Sequence, residues 1–144
     1  MTTQNYANHR QFVTMFHRVL LPVLLLTLVG SIVNLVESWG DHERLYSAAL
    51  IFVLTLCIVV LAFLSREFSL KAQDRAIRAE ESLRYFILTG KRMDPRLTMQ
   101  QIIGLRFASD AEFPQLAQKA AAENLSMKAI KELVKNWRPD HDRL

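Results

Sequence analysis

The sequence predicts an all-α membrane protein: a two-helix transmembrane hairpin, a long cytoplasmic stalk helix and a small three-helix C-terminal unit. Two uncharged apolar runs, Val19 to Val36 with 18 residues and Leu45 to Leu64 with 20, lie close together. A helix rises about 1.5 Å per residue, so each run can cross a hydrocarbon layer of about 30 Å. A helical repeat follows the second run, and three helix start signals follow that repeat.

Charge divides the chain into segments. Hydrophobic residues make up 51% of the sequence and charged residues 22%, values that are usual for a globular protein, yet the two runs hold no charge at all. The charged residues are therefore confined to the segments outside the bilayer. The predicted segments are an N-terminal segment 1–18, the hairpin 19–64 with an outer loop 37–44, the stalk 65–89, the helical unit 95–138 and a tail 139–144.

Basic residues orient the hairpin, because they are retained on the cytoplasmic side of a membrane. Arg10 and Arg18 precede the first run without an acidic residue, whereas Arg44 in the loop is outnumbered by three acidic residues. Four more basic residues follow the second run: Arg66, Lys71, Arg75 and Arg78. Both termini are predicted to be cytoplasmic.

Small and hydroxylated residues mark one face of the first run. Thr27, Ser31 and Asn34 are spaced four and three apart beside Gly30, and Thr55 lies in the second run. Such residues let helices approach closely in lipid. We expect these five residues to form the hairpin seam or an oligomer seam. A transport path is the alternative, but neither run has a charged residue to move ions or protons.

The helix is predicted to continue without a break from Ser65 to Leu88. Its apolar repeat consists of Phe68, Ala72, Ala76, Ala79, Leu83 and Phe86. Two i, i+4 ion pairs are expected on the other side, Asp74 with Arg78 and Glu80 with Arg84. Thr89-Gly90 is a helix stop and Asp94-Pro95 a turn.

Three short helices are predicted after that turn. Thr98 with Gln101 is a capping box, Ser109 with Glu112 is a second one, and Ser126 begins the third helix. About forty residues bury little core alone, so the unit should pack on the stalk, on another copy or on a partner.

The third helix is expected to continue to Arg138-Pro139. In a packed unit, the apolar spacing Ile130, Val134, Trp137 places the Trp137 ring in the centre. The alternative is a third helix that lies on the membrane with this ring in the headgroup layer. The same helix would carry a basic stripe made of Lys128, Lys131, Lys135 and Arg138.

Catalytic and metal-binding arrangements are missing from the sequence pattern. We find no nucleophile with an adjacent base and no metal-ligand spacing, and the one cysteine, Cys57, lies inside the second run. We therefore expect no enzymatic activity, no metal and no cofactor.

Several motifs resemble those of a known group of sequences. They are Gln73-Asp74-Arg75, Leu83-Arg84-Tyr85-Phe86 with Thr89-Gly90-Lys91, the run from Leu105 to Asp110, and Asn136-Trp137. In this order they resemble an uncharacterised family, a domain of unknown function, of small bacterial two-span inner-membrane proteins. The resemblance implies a bacterial inner (cytoplasmic) membrane location and carries over no activity and no catalytic residues.

The expected function is that of a non-enzymatic membrane adaptor or accessory subunit, which presents its cytoplasmic helices to a protein partner or to a homo-oligomer. The residues expected to take part are Arg75, Arg78, Arg84, Tyr85, Arg106, Lys128, Lys131, Lys135 and Trp137. One alternative is a membrane-tethered binder of polyanions, with anionic lipid favoured over nucleic acid because no base-reading signature is present. An oligomeric pore or transport component is the other alternative.

Overall fold

The computed structural model describes residues 5–6 and 13–140, and the described chain is all-helical, as predicted. The remaining parts of the predicted N-terminal segment and of the tail lie outside the described residues. The helices are a π-helical segment Met15–Leu20, α1 Leu21–Glu37, α2 His42–Thr89, α3 Met99–Leu105, α4 Phe113–Glu123 and α5 Met127–Leu133. The chain divides into two compact units, which we call the hairpin unit (residues 12–69) and the packed unit (residues 1–11 and 70–144).

The π-helical segment Met15–Leu20 of the hairpin unit ends directly before Leu21-Pro22, the first two residues of α1. Proline cannot donate a backbone hydrogen bond, and its ring crowds the carbonyl group four residues earlier, so the wider π-helical turn accommodates it. At the other end of α1, residues 38–41 form the connection to α2, which is shorter than the predicted loop 37–44. The Asp41 side chain accepts the Arg44 N–H at 3.2 Å and so starts α2 early.

Two helices of the chain, Met15–Glu37 and His42–Thr89, are long and apolar enough to cross a membrane. Only 6% and 11% of their most apolar windows are buried in the structure. Nearly all residues of these two apolar windows are therefore not buried.

The hairpin seam uses the smallest side chains. Ser31 of α1 and its C-cap residue Ser38 are buried, as are Ala48 and Thr55 of α2. The two residues of each pair are seven positions apart, which places them on one helical face. The Ser31 hydroxyl donates to Leu28 O of its own helix at 2.8 Å. Small size rather than hydrogen bonding across the seam therefore accounts for these residues.

The predicted seam residues are divided by the structure. Ser31 and Thr55 lie in the buried seam, whereas Thr27, Gly30 and Asn34 are exposed on α1 and do not belong to the hairpin seam. The seven-residue spacing selects the face of Ser31 and Ser38, and the three exposed residues lie beside it.

In the packed unit, the three short helices pack on α2, one of the three arrangements that the sequence left open. Ile77 and Tyr85 of α2 join a core with α3, α4 and α5. The largest fully buried side chains are Phe107, Phe113, Leu105 and Ile130. The α2 face used here is not the predicted apolar repeat, whose residues are all exposed.

Two of the three predicted helix starts have the expected geometry. Thr98 and Gln101 form a reciprocal capping box, and the Ser126 hydroxyl accepts the Ala129 N–H at 3.2 Å. The Ser109–Glu112 pair is different, because Glu112 itself is the N-cap of α4 and its side chain does not cap the helix. The Glu112 carboxylate instead accepts the Ser109 N–H at 3.1 Å and closes the turn that precedes α4.

The third short helix ends earlier than predicted. Helix α5 stops at Leu133, and Val134 is extended with φ −66° and ψ 117°. Glu112 Oε2 accepts the Lys135 N–H at 3.2 Å and Glu112 Oε1 the Asn136 N–H at 3.1 Å, so these amides bind a side chain instead of continuing the helix.

The basic stripe predicted on this helix is consequently wrong. Lys135 and Arg138 lie beyond the end of α5, and Lys131 is buried. Of the four basic residues, only Lys128 is an exposed side chain on the helix.

Candidate functional site

A cluster of charged residues lies where α2 meets the α3–α4 turn and the chain after α5. Its centre is Arg84, whose Nη1 donates to Glu81 Oε2 at 2.9 Å and whose Nε donates to Asp110 Oδ1 at 2.7 Å. Arg84 Nη2 donates to Ala108 O at 2.7 Å. The guanidinium also lies 4.4 Å from the centre of the Phe113 ring. Arg84 therefore fastens α2 to the turn between α3 and α4.

Glu81 is the buried acid of this cluster, with only 5% of the residue exposed. Its second carboxylate oxygen, Oε1, lies 3.8 Å from Arg138 Nη1. Burying a carboxylate is costly unless cations or donors surround it, and Arg84 and Arg138 supply these from two segments. The predicted Glu80–Arg84 pair is replaced by the Glu81–Arg84 pair at i, i+3.

Phe107 is the centre of a second, aromatic cluster. The Trp137 ring lies on it with centroids 4.7 Å apart, and the Arg106 guanidinium lies 4.8 Å from its ring centre. Arg106 also pairs with Asp140 at 3.2 Å. Trp137 is only half-buried, whereas Phe107 is fully buried, so the prediction that the Trp137 ring occupies the centre of the unit is wrong.

Backbone pairing holds Trp137 in this place. Ala108 and Trp137 form an isolated antiparallel bridge, and the Arg138 N–H donates to Phe107 O at 2.8 Å. The extended chain after α5 therefore folds back along the α3–α4 turn and brings Arg138 to Glu81.

The Glu112 carboxylate binds the chain after α5 through the N–H groups of Lys135 and Asn136. Burial raises the pKa of this carboxyl group, but the N–H groups of Ser109, Lys135 and Asn136 together outweigh that effect, and the net pKa is below its usual value. Glu112 is therefore a charged acceptor at neutral pH that holds the turn and the tail together.

A cavity of about 330 Å³ opens between α2 and the tail of the packed unit. It is lined by Gln73, Ile77, Glu80, Glu81, Arg106, Arg138, Pro139 and Asp140. The carboxylates of Glu81 and Asp140 lie against arginines, and no nucleophile faces a base among these residues. This arrangement suits the binding of a polar group.

The predicted interaction residues fall into two groups. Arg84, Tyr85, Arg106 and Lys131 are largely buried, and with the half-buried Trp137 they hold the unit together. Arg75, Arg78, Lys128 and Lys135 are exposed.

Glu81 is a part of the charged cluster that the sequence pattern did not single out, whereas Glu112 was predicted only as part of a capping box. The one available signal for Glu81 is its spacing, four residues after Ile77 and four before Tyr85, because these three residues share a helical face.

The fold and site define a class of all-helical protein in which two helices of membrane-spanning length are joined to a packed helical unit with a charged cavity. Within the described residues, no group of three or more histidine, cysteine or acidic side chains is placed to hold a metal ion. The chain belongs to DUF6526, a family of unknown function, whose model matches residues 1–144. No curated protein and no solved structure matches it.

Proposed function

We propose that this protein is a non-enzymatic membrane adaptor or accessory subunit of the bacterial inner membrane. Its helical hairpin anchors it, and its packed unit is held in the cytoplasm for a protein partner. One observation carries the proposal: both long apolar helices expose their surface, with 6% and 11% of their apolar windows buried. A core helix of a soluble protein would bury most of such a window, whereas a membrane span turns it toward lipid.

The charge distribution supports a cytoplasmic location for the packed unit. The connection between α1 and α2 lies in a segment with one basic and three acidic residues, while residues 65–144 hold 15 of the 18 basic residues. Basic residues near the ends of spans favour the cytoplasmic side. Both termini are then cytoplasmic, and the short connection 38–41 faces outward.

The packed unit supports the adaptor role. Its buried charges serve to join α2, the α3–α4 turn and the tail, and its exposed basic residues, such as Arg75 and Lys128, remain available on the surface. A rigid unit with exposed charges is suited to recognising a partner.

Anchoring and orientation are tested together by cysteine labelling in intact cells. With Cys57→Ala as background, Trp39→Cys lies at an 81% exposed position of the connection and should react with an impermeant maleimide from outside. Lys128→Cys, on the packed unit, should react only after the membrane is opened. Alkaline carbonate should leave the protein in the membrane pellet. Extraction by carbonate would refute the anchor, and the reverse labelling pattern would refute the orientation.

The adaptor role is tested by the size of the complex in mild detergent. We expect the full-length protein, purified from its native membrane, to migrate larger than a single chain. A strictly monomeric protein without any associated chain would contradict the adaptor role.

A further inference from the structure

The part of α2 inside the packed unit has two apolar faces, and only one of them is covered. Ile77 and Tyr85 are buried in the core, whereas the second face is open. We call this second face the α2 stripe: Ala72, Ala76, Ala79, Leu83 and Phe86. All five residues are exposed, Leu83 by 60% and Phe86 by 52%.

We propose that a second copy of this chain binds the α2 stripe, with the two helices parallel and in register. The stripe residues are spaced 4, 3, 4 and 3 apart, which is the a and d spacing of a coiled coil. Three alanines at these positions let two helices approach closely, and Leu83 and Phe86 supply apolar area at one end.

The charges beside the stripe select the orientation. Arg75 directly precedes the a residue Ala76, and Glu80 directly follows the d residue Ala79, so they occupy the g and e positions. In a parallel pair, Arg75 of each copy faces Glu80 of the other. In an antiparallel pair, arginine would face arginine and glutamate would face glutamate.

Both side chains are available for this pairing. Arg75 and Glu80 are exposed, and Arg84 donates to Glu81 and Asp110 instead of to Glu80. The parallel arrangement also agrees with the proposed function, on which this inference rests, because copies anchored with one orientation present α2 in one direction.

The test is oxidative cross-linking of the full-length protein in native membrane vesicles, with Cys57→Ala as background. Ala79→Cys at a d position should give a disulfide-linked dimer, since d residues of a parallel pair meet across the axis. The control is Arg78→Cys, an exposed neighbour outside the stripe, which should give at least about ten-fold less dimer. Leu83→Glu should abolish the Ala79→Cys dimer. In a Trp39→Phe background it should leave Trp137 fluorescence unchanged, because Leu83 lies outside the core.

Charge exchange tests the register. Arg75→Glu alone or Glu80→Arg alone, each with Ala79→Cys, should lower the dimer yield several-fold. The two variants are then coexpressed with different tags. In the mixed dimer, each residue 75 again faces a residue 80 of opposite charge. The mixed dimer should then recover and exceed both self-paired dimers.

Three outcomes would overturn the second-copy inference. They are equal cross-linking at residues 78 and 79, a dimer that is insensitive to Leu83→Glu, and labelling of the stripe by a photoreactive lipid, which would place it on the bilayer surface. Carbonate extraction of the same vesicles separates the two proposals. Membrane-resident protein without the Ala79→Cys dimer refutes the second copy and leaves the anchor intact, whereas extracted protein refutes the anchor itself.

Discussion

Replacing Arg84 with leucine should destabilise the packed unit by about 3 to 5 kcal/mol, the range for removing one partner of a buried ion pair. The Arg84 side chain is 11% exposed and that of Glu81 is 7% exposed, so the Glu81 carboxylate would lose its close cation inside the unit. Arg138 remains 3.8 Å from Glu81, but its side chain is 55% exposed. We therefore expect the lower part of this range.

Replacing Arg84 and Glu81 together with leucine should cost less than replacing Arg84 alone. The double variant has no uncompensated buried charge, and Asp110, whose side chain is 69% exposed, can be hydrated. The buried Ala108 carbonyl still loses its donor, which costs about 1 to 3 kcal/mol. The second substitution should thus restore about 1 to 3 kcal/mol of the stability that the first removes.

The measurement is urea unfolding of the full-length protein in detergent, followed by Trp137 fluorescence in a Trp39→Phe background. The matched control is Arg96→Leu, because Arg96 and Asp94 also pair at 2.7 Å but the Arg96 side chain is 69% exposed. That control should barely shift the unfolding midpoint. A double variant that is as unstable as Arg84→Leu, or less stable, would refute the assignment of Glu81 as a buried charge that depends on Arg84.

Three further predictions concern the interior of the packed unit. Phe107→Ala should cost about 3 to 5 kcal/mol and Trp137→Ala less, because Phe107 is fully buried and Trp137 half-buried; limited proteolysis that cuts the Trp137 variant faster would contradict this order. Gly104→Ala should destabilise the unit by about 1 to 3 kcal/mol, measured as a lower urea midpoint, because the added Cβ would lie 3.2 Å from the Met127 carbonyl oxygen. Glu112→Gln should lower the free energy of unfolding by its full amount above the ordinary glutamate pKa of 4.5. The difference between the two proteins should shrink as the pH falls through the lower pKa of Glu112 in the folded state. A difference that is the same in acid would show that the carboxylate charge does not stabilise the fold.

The ends of the helices show which structural features can be predicted from neighbouring residues in the sequence. Thr98 with Gln101, Ser126, and Gly90 with a φ of +68° all mark helix ends that the sequence predicts, since each signal acts within one turn. Ser109 with Glu112 has the same local pattern, but the Glu112 carboxylate binds the amides of Lys135 and Asn136 as well. Because this contact joins segments more than twenty residues apart, the local capping-box pattern did not predict it.

The sequence by itself determined the all-helical class, the two long apolar helices and the positions of most helix starts. These features depend on hydrophobic length and on capping within a few residues, which are both visible along the chain. Only the tertiary structure decided which faces are covered. It placed Ile77 and Tyr85 against the three short helices and left the residues of the predicted apolar repeat, which starts at Phe68 and ends at Phe86, exposed. The physical reason is that Arg84 binds Glu81, Asp110 and the Ala108 carbonyl at once, and such a multiple contact between distant segments has no periodic signal in the sequence.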